Sequence, residues 1–177
     1  MTGEPLAPSP DDKDWTWVLD TPCPDCGFDA VAIRMSDIAS QIRGAAAAFG
    51  VVIQGHDAGD RPQPGVWSPL EYGCHVRDVC RVFDERLRLM LIQDDPLFPN
   101  WDQDSTALAE RYWTQEPAVV SAELASAGES VAGSFESVEP AQWSRPGRRS
   151  NGSAFTVDSL ARYFLHDLVH HLHDVGA

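Results

Sequence analysis

The chain has 177 residues, 43% of them hydrophobic and 23% charged, which suits one soluble globular domain able to bury a core. Its formal charge of −14 disfavours nonspecific binding to nucleic acid and to anionic membrane surfaces, both of which need clustered Lys and Arg. No apolar run reaches 18 residues, so no transmembrane helix is expected.

Residues 1–13 are Pro-rich and polar and read as a flexible tail. They carry neither the basic nor the apolar segment of a signal peptide, and a cytoplasmic location with reduced thiols is expected. Trp15, Trp17, Val18 and Leu19 then form an apolar arm. Cys23-Pro24-Asp25-Cys26-Gly27 follows, the pattern of a thiolate knuckle. A closed zinc site needs four ligands, usually from two such knuckles. Cys74 and Cys80, six apart on a predicted helix, are about 240° apart around it and cannot form the second. Cys23 and Cys26 therefore read as part of a second metal site shared between subunits, as a redox pair, or as a tight turn with two reduced thiols.

The first helix is expected over residues 36–54, with Ser36 or Asp37 as cap and Ile38, Ile42, Ala45, Ala46 and Phe49 on one face. Glycines and prolines make 55–66 a loop. Ser68-Pro69-Leu70-Glu71 then gives a full start signal: Ser at the cap, Pro at the first position, Glu three after the cap. This helix should reach about residue 92, with His75 on the edge of its apolar stripe, beside Val79 and Val82. Residues 94–104 read as a turn-rich connection and 105–114 as a short helix. A longer helix runs from Pro117 to about residue 138. Residues 139–155 read as a loop holding three of the thirteen basic residues within five positions. Arg145, Arg148 and Arg149 either pair with the acidic body or clamp an anionic substrate. Thr156 caps a last helix that runs to about Val175. Four long helices with little strand signal imply an all-α four-helix bundle over 31–177, with a long crossover and an irregular tail and arm over 1–30.

Four of the six histidines lie in the eight residues from His166 to His173. On a helix, His166 and His170 share a face one turn apart and make a bidentate clamp that needs a third ligand, for which the inward His75 is the candidate. The apolar stripe of this helix is centred roughly opposite that face. The clamp therefore lines an open mouth, as a catalytic metal requires, or is an exposed cluster without metal.

Two motifs, Trp67-Ser68-Pro69-Leu70-Glu71-Tyr72-Gly73-Cys74-His75 and His166-Asp167-Leu168-Val169-His170-His171-Leu172-His173-Asp174, resemble the DinB/YfiT-like metalloenzyme superfamily over roughly residues 36–175. The chain is also similar to the N-terminal domain of mycothiol-dependent maleylpyruvate isomerases. The resemblance implies a four-helix bundle with a long crossover and a metal held by His75, His166 and His170. His166 stands where the mycothiol-dependent branch has Glu. Zinc is the first expectation, with nickel, iron and manganese compatible with three imidazoles. The expected activity is activation of a low-molecular-weight thiol, mycothiol-like, for S-transfer or thiol-assisted isomerisation of an electrophilic small molecule. A hydrolase using metal-activated water and a non-catalytic binding bundle are the alternatives. Asp167 and Asp174 are expected to orient imidazoles, and His171 and His173 to move protons. A homodimer is expected from the packing surface that a bundle offers.

Overall fold

The computed structural model describes residues 14–177; the expected tail over residues 1–13 lies outside the described residues. Four long helices carry the fold: α1 (Ile38–Val52), α2 (Pro69–Ile92), α4 (Pro117–Glu136) and α5 (Val157–Asp174), with a short α3 (Gln103–Ala109) in the crossover between α2 and α4. α4 packs on α1 and α2, and α5 packs on the same two helices from the other side, so α1 and α2 face each other across the bundle. Among the described residues no helix is long and apolar enough to cross a membrane.

Two of the long helices, α2 and α5, start at reciprocal side-chain caps, whereas Asp37, at the cap position expected for α1, makes no side-chain cap hydrogen bond. Ser68 accepts from the Glu71 backbone N–H, and the Glu71 carboxylate accepts from the Ser68 N–H at 2.9 Å. Glu71 is buried, and the Arg61 guanidinium neutralises it at 2.5 Å. Thr156 and Ser159 form the equivalent reciprocal pair at the head of α5. The expected helix over 105–114 is shorter than its pattern suggests. Arg111 adopts a left-handed backbone (φ 49°), which ends α3 and restarts the chain as a single 3-10 turn, Tyr112–Thr114.

The core runs the length of the bundle. Ile42, Phe49, Val79, Phe83, Leu87, Leu124, Val131, Phe135, Leu160 and Phe164 are all buried in it. Each such side chain contributes about 1.5–3 kcal/mol by leaving water. Phe83 stacks on Phe164 with ring centroids 4.9 Å apart. A smaller cluster of Ile53, Trp67, Leu70, Cys74, Tyr112 and Val120 closes the end of the bundle near His75. Helices α1 and α4 approach closely where Gly128 meets Ala46: a Cβ on Gly128 would lie 2.7 Å from the Ala46 Cβ.

The segments read as loops hold a small sheet. β1 (Leu97–Phe98) pairs in parallel with β2 (Pro146–Arg149), and β2 pairs antiparallel with β3 (Ala154–Thr156). A side chain at Gly147 would run into Met90 and Phe98, so glycine lets this sheet press onto the end of α2. The sheet fixes the crossover and sets Trp101 beside the bundle.

The N-terminal arm is not detached from the body. Cys23, Phe28 and Ala30 are buried in the main core, and Arg162 on α5 donates to the backbone carbonyls of Ala30 and Ile33.

Candidate metal centre

Helix α5 carries two pairs of polar residues at i, i+4 spacing, offset by one position: His166 with His170, and Asp167 with His171. One position is about 100° of helical rotation, so the pairs look out on different neighbours. The first pair faces the arm. The second faces α2, and there His75 meets it.

The structure therefore groups the histidines differently from the sequence expectation. Suitable ligand atoms of His75, Asp167 and His171 all lie within 4.8 Å of one another, and those of His166 and His170 gather with Cys23 and Cys26 instead. The expected trio of His75, His166 and His170 is not brought together as one set. Asp167 and His171, expected to orient an imidazole and to move a proton, are instead the residues that gather with His75. His173 is exposed on the outer side of α5.

At the first cluster, Asp167 Oδ1 lies 3.7 Å from His75 Nε2 and 3.4 Å from His171 Nε2. Asp174 Oδ2 lies 2.8 Å from His171 Nδ1. An ionised carboxylate only accepts, so Nδ1 carries a hydrogen, and Nε2 is the ring nitrogen turned toward Asp167. His75 is 1% exposed, and neither of its ring nitrogens has a hydrogen-bond partner; Asp167 Oδ1 is likewise buried without one. Three buried polar atoms without partners in one place are costly unless something satisfies them. Burial pushes the pKa of His75 down, so the ring is neutral at neutral pH. Burial works to raise the pKa of Asp167, but His75 and His171 outweigh it and hold the carboxyl below its usual value. The result is one carboxylate between two imidazoles, a donor set suited to a divalent cation. Trp67 and Trp101 flank the His75 ring at centroid distances of 5.2 and 5.5 Å, the second stacked nearly parallel at 13°, and fix its orientation.

The second cluster lies under the arm. Cys23 Sγ is 3.6 Å from His170 Nδ1, and His166 Nε2 is buried without a hydrogen-bond partner. Trp15 covers both rings, with centroids 5.6 Å from His166 and 4.9 Å from His170, and Phe28 meets His166 edge-on at 5.5 Å. Burial pushes the His166 pKa down to about 4 and the Cys26 thiol up to about 11. The face of α5 expected at an open mouth is thus partly covered by the arm and still borders a neighbouring cavity.

A cavity of about 440 Å³ opens beside the first cluster, lined by Asp167, His171, His166 and His170, with Tyr163, Arg149, Trp15 and Trp101 as further walls. Asp14, Asp102 and Asp104 also contribute to it. Of the three arginines expected as a clamp, only Arg149 lines the cavity. Its Nη2 donates to Asn100 at 3.1 Å, and its buried Nε has no partner. Arg145 instead donates to the Met90 and Gln93 carbonyls at 2.5 and 2.6 Å, where α2 ends with unpaired acceptors. Arg148 pairs with Asp95 at 3.0 Å.

The family model of the DinB superfamily matches residues 11–175, and the chain belongs to that superfamily. Among solved structures the fold is similar to that of YfiT from Bacillus subtilis, described as a probable metal-dependent hydrolase with an unusual four-helix bundle topology. The likeness has a TM-score of 0.69 at 17% identity and covers 78% of this chain and 82% of that one. No curated protein matches the chain in sequence. The expected family and the all-α bundle are thus both found.

Proposed function

We propose that this DinB superfamily member is an enzyme that activates a low-molecular-weight thiol against a small electrophile, using a divalent cation held by His75, Asp167 and His171. The observation that carries it is the set of unpartnered buried atoms on His75 and Asp167, beside a cavity sized for a small molecule. A cation bound there supplies a Lewis acid that lowers the pKa of a thiol or water brought to it. Zinc is the first choice for two imidazoles and a carboxylate, with nickel, iron or manganese able to use the same donors.

The remaining work falls to the chain itself. Asp174 holds the His171 ring with its Nε2 toward the cluster. Trp67 and Trp101 keep His75 in register. Arg149 offers a guanidinium to one anionic group of the substrate, and Asp14, Asp102 and Asp104 offer acceptors to its hydroxyl or amine groups. His166 stands where the mycothiol-dependent branch has Glu, so the thiol is proposed by class and not as mycothiol itself. The similarity to YfiT, a probable metal-dependent hydrolase, favours hydrolysis as the second reading. A location in the cytoplasm fits four cysteines that are free among the described residues.

The test is thiol consumption by the full chain with a panel of thiols and electrophiles, alongside ester and amide substrates without thiol. Activity should vanish on chelation, return with zinc, and be lost in His75→Ala and His171→Ala. Turnover that survives chelation, or that persists in both variants, would overturn the proposal. Turnover without thiol would move it to the hydrolase reading.

A further inference from the structure

We infer that Cys23, Cys26, His166 and His170 form a second metal site, a closed tetrahedral zinc centre that pins the N-terminal arm to α5. Taken together, the four residues have the C-x2-C and H-x3-H spacings of a structural zinc site, split between the two ends of the chain. Their ligand atoms lie within 4.8 Å of one another.

The cysteine half is a built turn. The Gly27 N–H donates to the Cys23 carbonyl at 2.9 Å, and the Cys23 N–H donates to the Phe28 carbonyl at 2.8 Å. Gly27 has φ +74°, a conformation that a side chain would disfavour. The histidine half is one face of α5, where i, i+4 spacing holds two rings side by side. Tetrahedral zinc with Zn–S near 2.3 Å and Zn–N near 2.0–2.1 Å sets sulfur and nitrogen about 3.5–3.6 Å apart. Cys23 Sγ and His170 Nδ1 are 3.6 Å apart. The unpartnered His166 Nε2 is a second sign that this pocket expects a ligand.

Charge and access separate this site from the one at His75. Two thiolates and two neutral imidazoles neutralise a dication, with two protons released to solvent on binding. A neutral centre is what a buried position tolerates: Cys23 is 1% exposed and His166 4%. Trp15 and Phe28 lie against the rings, and four protein ligands leave a tetrahedral ion no position for substrate, even though His166 and His170 also border the cavity. The role is therefore structural. The arm that the site holds brings Asp14 and Trp15 to the wall of the neighbouring cavity, so the second metal shapes the first site without taking part in its chemistry.

Cobalt replacement tests this on the full-length wild-type chain. Cobalt-loaded protein should show thiolate-to-metal charge-transfer absorption in the near ultraviolet, and the band should persist unchanged in His75→Ala. Zinc-reconstituted protein should hold two metal equivalents per chain, falling by one in the double variant Cys23→Ser/Cys26→Ser and by one in His75→Ala. Loss of the band in His75→Ala with the cysteines intact would overturn the inference, as would a wild-type protein with no such band. A Cys23–Cys26 disulfide in zinc-treated protein would also overturn it and show a redox pair. Failure of the function proposed at His75 would leave the charge-transfer band in place, so the two claims fail separately.

Discussion

Asp174 reaches two adjacent histidines at once: its Oδ2 lies 2.8 Å from His171 Nδ1, and its Oδ1 lies 3.9 Å from His170 Nε2. One carboxylate thus orients the His171 ring and lies within ion-pair range of the other cluster. Asp174→Asn keeps the shape and removes the charge, and an amide that offers its NH2 edge cannot accept from either ring. Metal affinity at the His75 cluster should fall about 10–100-fold, the usual cost of losing such a partner. Competition with a graded series of chelators measures this; an unchanged affinity would show that His171 is held by packing alone.

The arginines separate recognition from structure. Arg149→Ala should raise KM for anionic substrates about tenfold or more, the worth of a charge-assisted hydrogen bond, while metal content and melting temperature stay near wild type. Arg145→Ala should do the reverse. It uncovers the Met90 and Gln93 carbonyls at the end of α2 and should cost about 1–3 kcal/mol of stability with KM unmoved. Steady-state kinetics with urea unfolding distinguish the two patterns.

Acid should weaken the fold through Asp78. Burial alone would raise its pKa, but bonds from Arg77 at 2.9 Å and Tyr112 at 2.6 Å, with the nearby Arg81 charge, hold it below the usual value. A carboxyl depressed in the folded state binds its proton more readily when unfolded. Its stabilisation is present above about pH 4 and is lost as pH falls through the lower folded value. Asp78→Asn should lose about 3 kcal/mol at pH 7 by leaving Arg77 with less compensation, and should show a flatter decline below pH 4 than wild type. Urea midpoints from pH 6 to pH 3 test both.

Gly128→Ala sets two effects against each other. Alanine gains about 1 kcal/mol of helix propensity in α4. Its Cβ would also lie 2.7 Å from the Ala46 Cβ, which is fixed to the α1 backbone and cannot rotate away. The helices must part, and overpacking of this kind costs about 1–3 kcal/mol. A net loss of stability is expected, whereas Gly133→Ala on the same helix, with open space around it, should stabilise.

Much of this fold is legible in the chain because its signals are local. The Ser68, Pro69 and Glu71 start of α2 and the Thr156 cap of α5 need only a few neighbouring residues, and both form as their chemistry implies. The sheet is not legible: strands of two to four residues such as Pro146–Arg149 are too short for alternation to appear, and they exist because Gly147 lets them dock on Met90 and Phe98. The two candidate ligand sets are half legible. His75 points inward, and the His-rich segment sits across from it. Yet His166/His170 and Asp167/His171 have identical spacing, and only the packing angle of α5 decides which pair meets α2. The knuckle at Cys23 is readable as a metal pattern. Its partners, almost the whole chain away, become visible only once the arm is folded back.

That fold-back sets an order of assembly. Cys23 and His170 are separated by 147 positions, and the arm closes on α5, the last of the four long helices in chain order. On a translating ribosome the arm has no docking surface until nearly all of the bundle has emerged. A product truncated before α5 has no wall for Asp14 and Trp15 to complete, so the cavity cannot form until that helix is present.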